Sequence, residues 1–170
     1  TSFAFTVNPS WGGESSCCYY GSTSEFVLRV AEESIWFYYL DAHSQYKQDT
    51  TPDVKVNEYR CVVSPKTAKS LYELFYAAVF SSSYTAQGNG LDGVTYELLF
   101  EMGLFTAEFW SPKEDTNCHK LEEILKKLCD AVKNNNSAAV DALEPDAIEL
   151  TAAFKKLFPK DIENHWKPSF

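Results

Sequence analysis

The sequence has few of the features that identify a nucleic-acid-binding or membrane protein. Only 15 of its 170 residues are Lys or Arg, against 24 Asp and Glu, and the formal net charge is −9. Nucleic-acid binders need cationic groups that displace counterions from phosphates, and anionic membrane surfaces attract the same groups. The longest nearly uncharged apolar run, residues 35–40, is far too short to span a bilayer. We therefore expect no nucleic-acid partner and no membrane association.

Signatures of metal and cofactor binding are also missing. The three histidines are isolated, and no CxxC or HxxxH spacing occurs. His119 stands at helical i+3 and i+4 spacing from Glu122 and Glu123, and we interpret it as a surface histidine. The glycine-rich residues 88–93 have no strand before them, no helix after them and no Lys, so they do not form a nucleotide loop. Their Asn-Gly and Asp-Gly pairs are instead predicted to supply positive φ. We expect neither a metal nor a cofactor.

The cysteines do not suggest a disulfide framework. They are odd in number: Cys17, Cys18, Cys61, Cys118 and Cys129. The first two are adjacent and could pair only through a strained ring, and the last two lie on one predicted helix, roughly 16 Å apart at the helical rise. We predict reduced thiols and a cytoplasmic compartment. No signal peptide is visible, although the chain does not begin with Met and a trimmed leader remains open.

The residues that are present predict one folded domain over residues 1–170. Apolar residues make up 45% and aromatic residues 15%, which is enough for a single core. Residues 9–16 read as a Pro/Gly/Ser loop, and residues 25–31 and 35–41 as a hairpin. Alternation of apolar residues predicts four strands in the first third of the chain, at residues 3–7, 25–31, 35–41 and 54–63.

The second half of the chain alternates helices with a second strand pair. Ser64-Pro65 is a helix start, with Ser at the N-cap, and residues 111–114 (Ser-Pro-Lys-Glu) repeat that signal as a capping box. A third helix is predicted to begin near residues 144–146, and residues 94–100 and 104–110 form the strand pair. We predict an α+β fold, in which an antiparallel sheet (a four-strand N-terminal meander plus a C-terminal hairpin) carries three helices packed on one face.

The C-terminal hairpin is the most informative part of the sequence. A turn centred on Met102-Gly103 gives one wholly apolar face, which supports that register. The opposite face then pairs Thr95 with Trp110, Glu97 with Glu108, and Leu99 with Thr106. Two carboxylates directly across a ladder cost stability unless a cation lies between them.

The Glu97–Glu108 pair has three interpretations. A cation from a neighbouring strand, such as Lys55 or Arg60, neutralises it; or it is a contact face for a basic protein; or it is a paired-carboxylate catalytic site. Aromatic residues in or beside the first loop leave two readings open as well, because they either are exposed binding anchors or cover the end of the sheet: Trp11, Tyr19 and Tyr20.

Residues 90–98 (Gly-Leu-Asp-Gly-Val-Thr-Tyr-Glu-Leu), followed by Trp110-Ser-Pro and then Leu121, Leu125 and Leu128, carry a resemblance. This pattern resembles small bacterial α+β proteins with a GLDG-T-Y hairpin and a W-S-P helix start, some of them immunity-like partners of secreted toxins. The resemblance covers about residues 64–132. It implies an α+β fold and no known active site.

Our leading hypothesis is a non-catalytic binding protein of the immunity type, which neutralises a basic toxin or enzyme by occlusion. Its contact residues are predicted to be Asp92, Glu97, Glu101, Glu108 and Trp110. The sequence does not specify the oligomeric state.

Two other classes of protein remain open. One is a small hydrolase that uses the Glu97–Glu108 pair, or a Cys–His pair formed by Cys17 or Cys61 with His43. The other is a structural or accessory domain of a larger assembly, which a large apolar surface patch would favour.

Overall fold

A computed structural model describes residues 3–10, 14–21, 24–31, 55–82, 93–101 and 103–158. Six strands and four helices lie within these ranges. In chain order they are β1 (Phe3–Pro9), β2 (Ser15–Tyr20), β3 (Glu25–Ala31), β4 (Val56–Val62), α1 (Pro65–Ser81), β5 (Val94–Phe100), β6 (Phe105–Trp110), α2 (Asn117–Lys133), α3 (Ser137–Asp141) and α4 (Glu144–Lys155).

The strands form one antiparallel sheet in the order β4-β3-β2-β1-β5-β6. The first four strands are a meander, and the β5–β6 hairpin joins it beside β1. The predicted α+β class, with its N-terminal meander and C-terminal hairpin, is confirmed.

The two faces of the sheet follow from the register, because directly paired residues point to the same side. We call one side the helix face. Its aromatic residues Phe3 and Phe5 contact Phe75 of α1, with ring centroids 4.9 and 6.0 Å apart. Helix α2 lies on the same face, where Glu122 receives a hydrogen bond from Tyr96 of β5. Helix α4 packs against α1 and α2.

We call the opposite side of the sheet the far face. Its central row crosses all six strands in register and consists of Glu108, Glu97, Thr6, Cys17, Arg29 and Glu58.

Helix α1 begins where the sequence predicts. Ser64 is the N-cap, and its Oγ accepts a hydrogen bond from the Thr67 amide at 3.2 Å, while Pro65 occupies the first turn. The Asp141 carboxylate of α3 accepts from the Ser64 amide at 3.2 Å, which ties the start of α1 to α3. The predicted third helix is α4, which begins at Glu144.

The predicted start of the second helix at residue 111 is wrong. Helix α2 begins at Asn117, and its N-cap is Thr116, whose Oγ1 accepts from the His119 amide at 3.1 Å. Ser111 instead closes the hairpin, because its amide donates to the Val94 carbonyl and its Oγ accepts from the Val94 amide, both at 3.0 Å. A Ser-Pro pair that directly follows a strand can therefore bond to the neighbouring strand instead of starting a helix.

The predicted strands of the meander need one correction. Residues 15–16, which the sequence predicts to lie in a loop, begin β2, and the sequence does not predict β2 as a strand. β3 pairs with β2 on one edge and with β4 on the other. Both edges of β3 are therefore occupied by other strands, and the predicted pairing of residues 25–31 with residues 35–41 is wrong. Residues 35–41 themselves lie outside the described residues.

All five cysteines carry free thiols, and Cys118 and Cys129 lie on the same helix, as the sequence predicts. Among the helices described above, none combines the length and the apolar character that crossing a membrane requires.

Candidate functional site

The β5–β6 hairpin has the predicted register. Thr95 pairs with Trp110, Glu97 with Glu108, and Leu99 with Thr106, and these six side chains lie on the far face. The strands end at the next pair of residues, 100 and 105, and the Leu104 amide donates to the Glu101 carbonyl beyond them at 3.2 Å. We call Glu97 and Glu108 the acidic pair.

The two members of the acidic pair differ in exposure. Glu97 is half-buried and Glu108 is exposed. Burial raises the pKa of Glu97 above its ordinary value, and the neighbouring Glu108 carboxylate raises it further. The charged form of Glu97 is therefore held at a cost in free energy.

The predicted neutralisation of the pair by Arg60 is wrong. Arg60 lies on β4, four strand spacings from β5, or roughly 19 Å at about 4.8 Å per spacing. Its guanidinium bonds to Glu25 at 2.7 Å and to Glu58 at 2.8 Å. Lys55 directly precedes β4 and belongs to the same distant edge. No cation within the described ranges forms an ion pair with either member of the acidic pair.

The far face is thus electrostatically asymmetric. On the β3–β4 side, Arg29 Nε lies 2.9 Å from Glu58, and hydrogen bonds from Arg60 and then Arg29 lower the pKa of Glu58. The Arg29 guanidinium also lies 5.7 Å from the Tyr19 ring centroid. Negative charge without a described counter-charge is therefore concentrated on the β5–β6 side.

Small polar residues occupy the middle of the far face. Thr6 is buried, and the Asn8 side chain donates to its Oγ1 at 3.2 Å. Asn8 Oδ1 and Ser15 Oγ are buried, and neither has a hydrogen-bond partner in the part of the chain that the structure describes. This strip separates the acidic pair from the neutralised side of the sheet.

Trp110 is held against the start of β5. It is half-buried, and a Cβ added at Gly93 would overlap the Trp110 ring and the Ser111 hydroxyl. The predicted positive φ at Gly93 is wrong, since Gly103 is the glycine with positive φ among the described residues. Glycine is required at position 93 because the indole approaches the backbone too closely for a side chain.

The other predicted contact residues do not join the acidic pair. Asp92 lies outside the described residues. Glu101 sits in the turn with φ 50°, and its carboxylate accepts a hydrogen bond from the Tyr72 hydroxyl of α1 at 2.7 Å, which holds it toward the helices. The structure therefore separates Glu101 from Glu97 and Glu108.

The aromatic residues near the first loop divide between the faces. Tyr20 lies on the helix face and stacks on Phe3, with ring centroids 5.5 Å apart, so it covers the sheet. Tyr19 lies on the far face beside Arg29. Trp11 lies outside the described residues.

A buried carboxylate network was missed from the sequence. The Glu122 side chain accepts from the Tyr96 hydroxyl at 2.7 Å and from Lys126 Nζ at 2.8 Å. His119 Nδ1 lies 3.3 Å from Glu122, but no hydrogen bond forms in this geometry, so we treat the contact as an electrostatic one. The His119 side chain is only 30% exposed, so the predicted surface histidine is half-buried. The sequence feature that could have indicated this network is Lys126, which stands at i+4 from Glu122 beside the apolar stripe of the helix.

The balance of forces on Glu122 favours the charged form. Burial by itself raises its pKa, but hydrogen bonds from Lys126 and Tyr96, with the charges of Lys126 and His119, together lower the pKa below its ordinary value. The network joins α2 to β5 through the helix face and has no contact with the acidic pair in the described geometry.

The cysteines do not have the character of nucleophiles. Cys17 and Cys61 are 2% and 1% exposed, and burial raises the pKa of Cys17 to about 12 and raises that of Cys61 as well. A nucleophilic cysteine requires a lowered pKa and access to solvent. His43 lies outside the described residues. In the described ranges, no group of three or more His, Cys, Asp or Glu side chains is placed to hold a metal ion.

Comparisons of the chain with protein-family models, with curated proteins and with solved structures find no match.

Proposed function

We propose that this chain is a non-catalytic binding protein that recognises a basic protein through the far side of the β5–β6 hairpin. The contact surface consists of Glu97, Glu108 and Trp110, which we call the acidic hairpin face. One observation carries the proposal: two carboxylates stand directly opposite each other, and no described cation relieves their repulsion. The repulsion between Glu97 and Glu108 destabilises the free protein. A partner that places a positive charge between the two carboxylates would remove this repulsion, which explains why the pair is present.

The proposed binding has two physical components. The net charge of −9 attracts a basic protein over distances of about the Debye length, and the acidic hairpin face orients it. A Lys or Arg of the partner between the two carboxylates lowers the pKa of Glu97 toward its ordinary value. Trp110, fixed against Gly93, provides a rigid aromatic contact beside the charges.

The more specific form of this proposal is an immunity-type protein that occludes a basic toxin or enzyme. The resemblance of residues 90–98 and of the Trp110-Ser-Pro segment to immunity-like proteins supports it, together with the acidic character of the hairpin. In this form, binding blocks the partner's own active surface.

Charge reversal tests the proposal. The variant Glu97→Lys/Glu108→Lys is compared with Glu114→Lys/Glu149→Lys, which changes the net charge equally at two exposed carboxylates elsewhere. With the immobilised wild type and lysate of the source cell, we expect capture of a basic protein whose activity falls on equimolar addition of this chain. The control variant retains this capture and inhibition, and the hairpin variant loses both.

Salt gives a second measure in the same experiment. Because the contact is charge-steered, the association rate falls as ionic strength rises, and this dependence is weaker for the hairpin variant. Equal capture by the hairpin and control variants, with both folded by circular dichroism, rejects the acidic hairpin face.

The hydrolase alternative shares one observation, the raised pKa of Glu97, which a general acid also requires. Paired-carboxylate catalysis also needs both groups in a cleft that excludes water, and Glu108 is exposed. For an accessory domain, the exposed large apolar side chains would have to form one patch. In the described ranges these side chains lie on β4, at or next to the start of β6, and on and after α4: Val56, Val62, Leu104, Phe105, Ile148 and Leu157.

A further inference from the structure

Strand β6 lies at one border of the sheet. Among the six described strands, it has a neighbour on the β5 side only. It is six residues long and contains three aromatic residues and a single charge, Glu108. A strand of this kind presents backbone donors and acceptors to which another extended chain can pair.

The hydrogen-bond pattern of β5 identifies the outward groups of β6. The Gly93 carbonyl accepts from Ser10 on the β1 side at 2.9 Å, and the Val94 carbonyl accepts from Ser111 on the β6 side at 3.0 Å. Successive residues of a strand bond to opposite sides, so the even-numbered residues of β5 bond to β6. Through the register, the residues of β6 that bond inward are 105, 107 and 109. The amides of Thr106, Glu108 and Trp110 therefore point to the outer edge.

The other border strand, β4, is protected differently. Its charged residues Glu58 and Arg60 bond to each other, to Arg29 and to Glu25 within the sheet. Paired charges on an edge strand resist the addition of a further strand, because the pairs would have to be rearranged. Glu108 on β6 forms no ion pair with a described cation, so a strand that brings a cation there gains an interaction.

We propose that β6 binds an extended segment of the basic partner as an added antiparallel or parallel strand, with a Lys or Arg of that segment beside Glu108. This inference rests on the proposed function and specifies how the partner is held. Main-chain hydrogen bonds to the outward amides give affinity, and alternate side chains give specificity. On the far face the added strand meets Thr106, Glu108 and Trp110, and on the helix face it meets Phe105 and Ala107. The bound segment therefore alternates apolar residues with polar ones, and its central polar residue is basic.

A second copy of the chain is a poor occupant of this edge. Residues that pair directly across two strands point to the same face of the sheet. If the β6 strands of two copies paired antiparallel about a twofold axis, Glu108 would therefore face a far-face residue of the second copy, which is Glu108, Thr106 or Trp110 depending on the register. Each well-overlapped register brings two acidic pairs close together on one face. Like charges at this spacing oppose self-association.

Amide hydrogen exchange on the full chain tests the inference. The probe is a short, end-capped peptide that alternates valine with threonine and has one lysine in place of a central threonine. We expect the Thr106 and Glu108 amides to exchange rapidly in the free protein and at least about tenfold more slowly with saturating peptide. A matched peptide with glutamate in place of the lysine binds about tenfold more weakly or not at all.

Two variants at one position separate backbone pairing from side-chain contact. Thr106→Pro removes an outward amide without removing a bond to β5, a position that an edge strand tolerates, and Thr106→Val keeps the amide. The valine variant binds the lysine peptide as the wild type does, and the proline variant loses binding while its circular dichroism spectrum and melting temperature show that it is folded.

The outcomes distinguish this inference from the proposed function. If the peptide or the captured partner binds Thr106→Pro normally but fails to bind Glu97→Lys/Glu108→Lys, strand addition is overturned and the acidic hairpin face stands. If the double reversal also binds normally, both fail. Protection of the outer amides that rises with protein concentration alone identifies a second copy as the occupant and overturns the choice of partner.

Discussion

At the scale of single residues, the charged form of Glu97 lowers the stability of the free protein, and no described contact of the fold compensates for this loss. It is half-buried, it faces Glu108, and both effects raise its pKa from the ordinary value of 4.5. Glu122 shows the opposite case, because two hydrogen-bond donors and nearby positive charge outweigh its burial and lower its pKa. The domain thus compensates the buried Glu122 carboxylate internally, whereas no described cation is available for the half-buried Glu97.

We predict that Glu97→Gln stabilises the free protein at neutral pH by roughly 0.5 kcal/mol, the range of a like-charge cross-strand pair. The amide removes the repulsion with little change in shape. The same substitution weakens capture of the basic partner. Chemical denaturation measures the first effect and binding the second, with Glu114→Gln as the exposed control. A loss of stability in Glu97→Gln would mean that the carboxylate is already compensated.

The pH dependence of this effect has a definite sign. Because the folded-state pKa of Glu97 is raised, the favourable contribution of its protonated form is fully present below the unfolded value near 4.5 and is lost as the pH rises through the folded pKa. The advantage of Glu97→Gln over the wild type therefore grows from about pH 4.5 toward neutrality. Denaturation of both proteins across this range measures it.

At the scale of secondary-structure elements, the two Ser-Pro pairs show what local sequence specifies. Ser64-Pro65 caps α1, whereas Ser111-Pro112 follows β6 directly and Ser111 bonds to Val94 across the hairpin. The local signals are alike, and a tertiary contact decides between the two outcomes. The residue types at positions 111–114 do not indicate that Ser111 will bond to Val94.

We predict different effects for alanine at the two candidate caps of α2. Thr116→Ala removes the side-chain acceptor of the His119 amide and costs about 1 kcal/mol of stability. Ser111→Ala leaves that amide bonded and instead deprives the Val94 amide of its acceptor. Hydrogen exchange therefore accelerates at His119 in the first variant and at Val94 in the second. The reverse pattern would restore Ser111 as the helix cap.

The hairpin and β2 show why some strands can be predicted and others cannot. In β5–β6 one register makes every residue of one face apolar, so the pairing of Glu97 with Glu108 was predictable before the fold was known. β2 is Ser-Ser-Cys-Cys-Tyr-Tyr and is buried on both faces at its centre, where Cys17 and Cys18 are 2% and 1% exposed. Small residues buried on both sides give no alternation.

The candidate site was predictable only in part for a related reason. Pairing within one hairpin is a local property, and it supplied the acidic pair. The distance of Arg60 from that pair depends on strand order, and the attachment of Glu101 to Tyr72 depends on the placement of α1. Both are long-range properties that periodicity along one strand does not contain.

At the scale of the whole molecule, α1 is the central element of the packing. It lies between the sheet and α4, and its residues Leu71, Leu74, Phe75 and Ala77 have no measurable exposure. Rings from five strands (β1, β2, β3, β5 and β6) and from α1 form a continuous aromatic cluster, which includes the contact of Phe3 with Phe75 at 4.9 Å. Such a core is expected to unfold cooperatively.

We predict that the thiols report this cooperativity. Cys17, Cys18 and Cys61 are each at most 2% exposed, whereas Cys118 is half-buried. In native buffer, iodoacetamide should label Cys118 first, and the three buried thiols should react together at a rate set by global opening. Mass spectrometry of timed samples resolves the sites. Labelling of Cys61 as rapidly as Cys118 would show that β4 opens locally.

The interior position of β1 has a consequence for synthesis on the ribosome. β1 pairs with β2 and also with β5, from which it is separated by three further strands and α1. The ribosome completes the meander β1–β4 before it synthesises β5. The edge of β1 that β5 will cover is therefore unpaired during this interval, and other nascent chains can pair with it. Such long-range closure slows folding, and chaperone dependence in this protein should therefore be concentrated in the interval between the emergence of β4 and that of β5.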